Sequence, residues 1–224
     1  MSMSAGRNIN TQDYWDRRFG TGDWKAKGGF SQTRAFAESQ ISHLGLPDDF
    51  SGILCDFGCG AGDAFPVYRK AYPNAKLIGV DFSAEAIRLC REKYSDIAEF
   101  IEGDYGTVPH CDVLITSNVL EHLDDDKTAV SVLLERCTTL FAIIPFEERN
   151  FCGEHLRAYD EQSFADLFPI RKVVFLSKGW SMFGVSLWYQ VYLKNIARFL
   201  LGRPLVFQRT QIIFEFRGSR ANDK

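Results

Sequence analysis

Glycines at alternate positions follow a short apolar run in the first half of the chain. Residues 54–63 read LCDFGCGAGD, so that Asp56 ends the run and precedes Gly58, Gly60 and Gly62. Glycine lets a backbone pass close to a ligand, and the start of a following helix offers unpaired N–H groups. Asp63 stands where the dinucleotide fingerprint requires a glycine, and the phosphate-loop lysine is absent as well. The segment therefore favours a cationic, hydroxyl-bearing ligand over a phosphate.

Further acidic residues follow the next two apolar runs. Asp81 comes about 20 residues after the last of these glycines, a spacing at which a carboxylate binds the hydroxyls of a ribose. Phe82 is placed to lie against a purine, and Asp104 to read an exocyclic amine. Two plainer interpretations stay open, a ligand-free turn at the glycines and an Asp81 that only caps a helix. Ser83 already offers the capping oxygen.

Two histidines are candidates for acid–base chemistry. His122 lies in residues 117–123, SNVLEHL, which follow the fourth predicted strand, and His155 lies after the fifth. An imidazole with an unperturbed pKa of about 6.5 suits a general base at neutral pH, and Glu121 stands beside His122. In the alternative interpretation, Glu121 and His122 begin a helix and their side chains meet solvent or backbone.

The elements that position these residues alternate along the chain. Apolar runs typical of strands and amphipathic stretches typical of helices succeed each other through the middle of the sequence. The alternation predicts an α/β fold, a Rossmann-like doubly wound sheet of about seven strands, mostly parallel with an antiparallel C-terminal strand. Strands are predicted at 53–57, 76–80, 99–102, 112–116, 140–145, 171–176 and 211–216, and helices at 64–72, 84–94 and 127–136.

Composition limits the class of protein. The 224 residues suit a single domain, and a net charge of −3 from 26 basic and 29 acidic residues gives no field that would hold nucleic acid. Six cysteines without a C-x-x-C pair argue against a disulfide framework or a zinc knuckle. The polar N-terminus shows no secretory signal, so a cytoplasmic protein is expected. The longest uncharged apolar stretch is shorter than the roughly 20 residues of a membrane-spanning helix.

Over residues 50–146 the chain resembles the class I S-adenosylmethionine-dependent methyltransferases. Four motifs carry the resemblance because they occur in that family's order: the glycine turn, Asp81, Asp104 and the segment SNVLEHL. The resemblance implies S-adenosylmethionine as the cofactor, with the glycine turn near the methionine part, an acid on the ribose and the next acid on the adenine amine. Carried over residue by residue, the implied cofactor-binding residues are Asp56, Gly58, Cys59, Gly60, Gly62, Asp81, Phe82, Asp104, Tyr105, Ser117 and Asn118.

Within the class, SNVLEHL is similar to the small-molecule branch that includes the ubiquinone-type O-methyltransferases. Residues 13–19 resemble the N-terminal lid of that branch, which implies that Tyr14 and Trp15 close over the substrate. The resemblance implies methyl transfer to oxygen or nitrogen of a small-molecule, sugar or lipid-linked acceptor, with His122, His155 and Glu121 as catalytic candidates. A catalytically silent cofactor-binding module acting as a partner protein is the alternative, and a nicotinamide oxidoreductase, which Asp63 disfavours, is the third.

A metal is not expected. RNA 3′-end methyltransferases of this class hold a metal with E-x-x-E-H and a later histidine, but here Asn118 stands at the first acid. The predicted organisation is one domain over residues 1–224, with a lid at 1–45, a cofactor-binding core at 50–146 and a substrate side at 147–217. A helical insertion at 179–203 carries aromatic residues and cations. It suits packing over the site or a homodimer interface, or else peripheral contact with a membrane surface.

Overall fold

The computed structural model describes residues 9–148, 153–180, 187–203 and 210–219. Seven strands form one sheet in the order β3-β2-β1-β4-β5-β7-β6. β1 to β5 run parallel, and β7 runs antiparallel to both β5 and β6. This arrangement confirms the predicted fold class. The strands are β1 Ile53–Phe57, β2 Lys76–Asp81, β3 Glu99–Glu102, β4 Cys111–Ser117, β5 Cys137–Phe146, β6 Arg171–Leu176 and β7 Thr210–Arg217.

Helices cover both faces of the sheet. The described helices are α1 Gln12–Gly20, α2 Asp23–Ala26, α3 Gly29–Leu44, α4 Phe65–Ala71, α5 Ala84–Tyr94, α6 Asp126–Leu134 and α7 Leu187–Leu200. Neighbouring strand residues point to opposite faces, so Leu54 packs with α3, α4 and α5, whereas Cys55 packs with α6. Burial on both faces explains why the central strands read as continuous apolar runs.

β5 starts earlier than predicted, whereas Pro145 lies in the strand as the sequence predicted. β5 begins three residues before the predicted start, because Cys137 pairs with Cys111 immediately after the turn that ends α6. Pro145 remains inside the strand, paired with Gln211 of β7. The pairing of β4 with β5 reaches only to Ile143, so at Pro145 the strand pairs with β7 alone and tolerates the missing N–H.

The parallel arrangement places the carboxyl ends of β1, β2 and β4 side by side. Phe57 is in register with both Val80 and Thr116, so the segments that follow these strands emerge at one edge. Ligands of open α/β sheets bind at this edge. Of the insertion at 179–203, residues 181–186 lie outside the described residues. Within the described ranges, no helix has the length and apolar character needed to cross a bilayer.

Candidate active site

The glycine turn after β1 takes a backbone conformation that other residues rarely adopt. Gly58, Gly60 and Gly62 have φ of +76°, +54° and +79°. A Cβ at Gly58 would lie 2.2 Å from Cγ2 of Val119, so this position also needs glycine for space. The turn thereby keeps its backbone at the wall of a cavity of about 430 Å³, a size within the range of small-molecule sites.

Two buried carboxyl groups, the aspartate pair Asp56 and Asp81, line this cavity. Oδ2 of Asp81 accepts a hydrogen bond from the Gly60 N–H at 2.8 Å, and Oδ1 accepts one from the Ser83 N–H at 2.9 Å. Burial raises the pKa of Asp81 to about 6, although these two bonds oppose the rise. Burial and the charge of Asp81 raise the pKa of Asp56 to about 8, and a hydrogen bond from Tyr68 opposes that shift.

The third acid and two aromatic residues complete the predicted cofactor side. Asp104 is exposed, and its Oδ1 accepts a hydrogen bond from the Gly106 N–H at 2.9 Å. Tyr105 packs edge-on against Phe57, with ring centroids 6.5 Å apart, and Phe82 is 37% exposed. Asp104, Tyr105, Phe57 and Phe82 line the cavity, and so does Cys59.

A polar network joins the end of β4 to distant parts of the chain. Gln40 of α3 donates to Ser117 Oγ at 2.8 Å and to the side-chain oxygen of Gln211 at 3.2 Å. Gln211 of β7 in turn donates to Oδ1 of Asn118 at 3.0 Å, and Asn118 donates to Ser117 Oγ at 3.1 Å. Asn118 has a φ of +54°. The network holds Ser117 and Asn118 in the cavity wall.

Glu121, His122 and His155, the Glu-His-His cluster, also line the cavity. Glu121 and His122 belong to the 3-10 turn Leu120–His122 after β4, and His155 follows β5 in the chain. One potential ligand atom of each lies within 4.8 Å of the others, and the two imidazole ring centroids are 5.0 Å apart. The structure therefore brings together the three side chains that the sequence singled out as catalytic candidates.

The environment of the cluster changes its protonation. Burial raises the pKa of Glu121 to about 7, although the nearby His155 acts in the opposite direction. Burial, together with the charges of His155 and Arg18, lowers the pKa of His122 to about 3, although Glu148 acts in the opposite direction. His122 is therefore neutral at pH 7 and only weakly basic, and its role as a base stays a prediction.

The N-terminal helices close one side of the cavity. Trp15 packs edge-on against His122 with ring centroids 5.4 Å apart, and both residues line the wall. The Arg18 guanidinium lies 5.4 Å from the ring centroids of both Trp15 and Trp24, and it pairs with the carboxylate of Glu154. Arg18, Trp24 and Glu154 line the cavity as well.

Two of the predicted site residues are missing from the cavity wall. A Cβ at Gly62 would lie 2.9 Å from Sγ of Cys90 and 3.0 Å from Tyr94, so this glycine faces α5 and permits close packing of that helix. Tyr14 donates its hydroxyl hydrogen to Glu154 and so braces the lid from outside the wall. The predicted contacts of Gly62 with a cofactor and of Tyr14 with a substrate have no support in this geometry.

Sequence reasoning missed several residues that shape the site. Arg18, Gln40, Glu154 and Gln211 each bond across long stretches of chain. A signal existed for the two glutamines, because an amide side chain in an otherwise apolar strand or helix face requires a buried hydrogen-bond partner. The partners themselves are set by the tertiary fold.

The centre of the chain matches a known family. Residues 54–139 match the family model described as a methyltransferase domain. A trans-aconitate 2-methyltransferase of Afipia carboxidovorans is 34% identical over 85 residues, which cover 37% of this chain and 33% of that enzyme. The match to a second trans-aconitate 2-methyltransferase, from Azoarcus, covers 36% of it. The chain thus spans about a third of the length of the first curated relatives that it matches.

Solved structures share the whole fold at low sequence identity. A chain of the Haloferax volcanii complex between the Trm112 methyltransferase activator and a methyltransferase aligns with a TM-score of 0.64 at 13% identity, covering 94% of this chain and 99% of that one. The plantazolicin methyltransferase BpumL, solved with SAH, the demethylated cofactor S-adenosylhomocysteine, aligns with a TM-score of 0.56 at 16% identity, covering 92% and 91%. These findings confirm the predicted class I methyltransferase fold, and they identify residues 54–139 as a match to a methyltransferase domain.

Proposed function

We propose that this chain transfers a methyl group from S-adenosylmethionine to an oxygen or nitrogen atom of a small-molecule acceptor. One observation carries the proposal: a single cavity is lined by the glycine turn, by three acids after neighbouring strands and by the Glu-His-His cluster. One part of this wall suits an adenosyl group and the other suits a polar acceptor. The relatives named for trans-aconitate and plantazolicin support an acceptor of small size.

The acids of the wall fit the cofactor by their chemistry. Asp81 would accept hydrogen bonds from the ribose hydroxyls, since its carboxylate is already oriented by two backbone N–H groups. Asp56 would face the methionine part, and Asp104 with Phe82 would hold the adenine. When bound, S-adenosylmethionine supplies an electrophilic methyl group on a sulfonium. The cavity then has to position the acceptor.

The acceptor would meet the Glu-His-His cluster. In the transfer, a lone pair of the acceptor forms a bond to the methyl carbon, the sulfur–carbon bond breaks with its electrons on sulfur, and the acceptor loses a proton. Alignment of the two reacting atoms can supply about 7 to 11 kcal/mol. Trp15 and Trp24 would exclude water from the reacting atoms. The cluster would orient the acceptor and take up its proton.

The ribose assignment is tested by calorimetric titration with S-adenosylhomocysteine. We expect micromolar binding by the natural chain and a loss of about 10- to 100-fold in Asp81→Asn, because a hydrogen bond to a charged group contributes about 1.5–3 kcal/mol. Asp49→Asn, in the exposed turn before β1, is the matched control and should bind normally. Equal affinities in the two variants would remove the assignment, and tight binding of NAD instead would favour an oxidoreductase.

Turnover separates an enzyme from a silent cofactor-binding module. The full chain is incubated with methyl-tritiated S-adenosylmethionine and a protein-free metabolite fraction, and the label is followed into small molecules. We expect labelled product with the natural chain and little with Asp81→Asn. Cofactor binding without any labelled product would support the silent cofactor-binding module. The Haloferax neighbour, which was solved in complex with a partner protein, is a reason to test this alternative. Label that appears only when nucleic acid is supplied would contradict a small-molecule acceptor.

We further propose that α7 brings the chain to a membrane surface, which suits a lipid-linked acceptor. Residues 187–203 contain no acidic residue and three basic ones, Lys194, Arg198 and Arg203. Phe199 is 75% exposed and Leu200 is 76% exposed. An exposed apolar surface beside cations is typical of helices that lie in the headgroup region of anionic membranes. A second copy of the chain is the competing occupant of this surface.

A further inference from the structure

The Glu-His-His cluster has the composition of a metal site, although the sequence predicts none. A carboxylate and two imidazoles form one of the common ligand sets for divalent transition ions. The three potential ligand atoms lie within 4.8 Å of one another. The expectation against a metal depended on Asn118, whose amide instead bonds to Ser117 and Gln211. The three remaining ligands suffice for a site that leaves positions open.

Among the described residues, the carboxylate of Glu121 lacks the partners that a buried charge requires. The residue is 1% exposed, and neither of its side-chain oxygens has a hydrogen-bond partner in the described part of the chain. Burying an ionised carboxylate is costly unless it is paired or coordinates a metal. A cation between Glu121 and the two imidazoles would satisfy this carboxylate directly.

Each of the two imidazoles has a hydrogen-bond partner at one ring nitrogen, as histidines that bind metals usually do. Nδ1 of His122 lies 3.0 Å from the carbonyl oxygen of Glu154, and because a carbonyl only accepts, Nδ1 carries the hydrogen and Nε2 the lone pair. Nδ1 of His155 bonds to the carboxylate of Glu148. A carbonyl or carboxylate on the second ring nitrogen is the usual outer partner of a histidine that binds a metal, since it fixes the ring and raises its basicity.

The backbone around the cluster is fixed by several bonds between its two segments. The Leu156 N–H donates to the carbonyl of Glu121 at 2.8 Å. The Arg157 guanidinium donates to the carbonyls of Leu123 and Asp124 at 2.7 and 2.6 Å. These bonds join the segment that carries His155 to the turn that carries the other two ligands. A ligand set held in this way is preorganised for a cation.

We propose that Glu121, His122 and His155 bind one divalent first-row transition ion, with the open coordination positions directed at the cavity that all three residues line. The ion would act as a Lewis acid on an acceptor that presents a hydroxyl group, since coordination lowers the pKa of a bound oxygen. This role rests on the proposed function, whereas the binding of the ion does not. An unmetallated, protonated Glu121 is the competing account of the same side chains.

The proposal is tested with the full chain after chelator treatment and dialysis. Mn²⁺ and Zn²⁺ are titrated by calorimetry, and Co²⁺ by visible absorption. We expect one ion per chain with micromolar or tighter affinity, and a Co²⁺ spectrum without a thiolate charge-transfer band. Glu121→Gln and His155→Ala should each weaken binding at least 30-fold. His110→Ala, an exposed histidine outside the cavity, is the matched control and should bind as the natural chain does.

Three results would overturn the site: no saturable binding to the natural chain, equal affinity in the cluster variants and the control, or a thiolate band that assigns the ion to cysteines. If Glu121→Gln does not fold, as judged by circular dichroism, His155→Ala still decides the matter. Titration of the same preparation with S-adenosylhomocysteine is independent of the metal titration. Failure of the proposed function therefore appears in one titration and failure of the metal site in the other.

Discussion

The carboxyl group of Asp81 gains its proton near pH 6 in the folded chain, because burial raises its pKa from 3.8 to about 6. Ribose hydroxyls donate to the ionised form, so the proton and the ligand compete. We expect the affinity for S-adenosylhomocysteine to be constant above pH 7 and to fall about tenfold by pH 5. Calorimetry across this range checks the profile. Asp81→Asn should give a flat profile, and an unchanged slope in that variant would assign the titration to another group.

The raised pKa of Asp81 also makes the stability of the fold depend on pH. In the unfolded chain Asp81 loses its proton near pH 3.8, whereas the folded chain retains it to about pH 6. The folded state therefore binds more protons between these values, and the contribution of Asp81 to stability falls as the pH rises through this window. A bound ligand that stabilises the ionised form should reduce that loss.

Gly58 should tolerate substitution less than another glycine with the same kind of backbone. Gly58 and Gly202 have φ of +76° and +61°. A Cβ at 58 would overlap Val119, whereas one at 202 meets no atom of the described residues within 4 Å. We expect Gly202→Ala to lower the free energy of unfolding by about 1 kcal/mol, because only the left-handed backbone conformation is unfavourable there. Gly58→Ala should cost at least about 2 kcal/mol more, because Val119 must move. Urea unfolding of both variants measures the difference, and equal costs would show that the overlap relaxes freely.

At the residue scale, local patterns predicted the parts of the site that lie in one stretch of chain. The glycine turn and Asp81 follow buried strands, and an acid at that place is visible without a structure. Gln40 and Gln211 were not predicted, since their hydrogen bonds to Ser117 and Asn118 join residues far apart in the chain. Nor does a sequence show that Glu121 is buried without a hydrogen-bond partner among the described residues, because this depends on packing from several elements.

At the scale of elements, α1 serves as a cap for α5. Oδ1 of Asp16 accepts hydrogen bonds from the Ser83 hydroxyl at 2.6 Å and from the Glu85 N–H at 3.2 Å. Ser83 Oγ itself accepts from the Ala86 N–H at 3.1 Å, as the sequence predicted for an N-cap. The lid is therefore bonded to the segment that follows Asp81.

Asp16→Ala should release the lid and weaken cofactor binding together. We expect a stability loss of about 1–2 kcal/mol, the usual value of a helix cap, and a severalfold lower affinity for S-adenosylhomocysteine because Ser83 also orients Asp81. Thermal unfolding and calorimetry measure the two effects. Asp13→Ala, an exposed acid on the same helix, is the control. A loss of stability with unchanged affinity would mean that the lid and the cofactor site are independent.

The sheet was predictable because hydrophobic burial on two faces dictates the central strands, and their carboxyl ends then meet at one edge. Strand ends were less predictable. The start of β5 is set by the pairing of Cys137 with Cys111, a neighbour that periodicity does not reveal.

At the scale of the molecule, the N-terminal helices and the central strands line one cavity, and β7 supports its wall. Trp15 and Gln40 come from the N-terminal side, and Gln211 supports the wall from the other end of the chain. The site is therefore complete only when these distant segments are assembled. α7 differs from them, since none of its described side chains is buried.

The exposed surface of α7 predicts binding to anionic membranes. Cosedimentation with vesicles of phosphatidylcholine and phosphatidylserine should retain the chain, and neutral phosphatidylcholine vesicles should retain much less, because Lys194, Arg198 and Arg203 contribute about 1 kcal/mol each near an anionic surface. Raising the salt from 0.1 to 0.5 M should release most of the protein. The double variant Phe199→Glu and Leu200→Glu should abolish retention.

Ile170→Glu supplies the control for that variant, because Ile170 is 62% exposed but lies outside α7. If both charge substitutions reduced retention equally, the effect would belong to net charge and not to this helix. Sedimentation equilibrium of the natural chain without vesicles tests the competing occupant. A dimer that Phe199→Glu and Leu200→Glu dissociates would show that two copies cover the apolar residues of α7. A monomer that binds only anionic vesicles would place those residues in the headgroup layer, where the cavity could receive a lipid-linked acceptor.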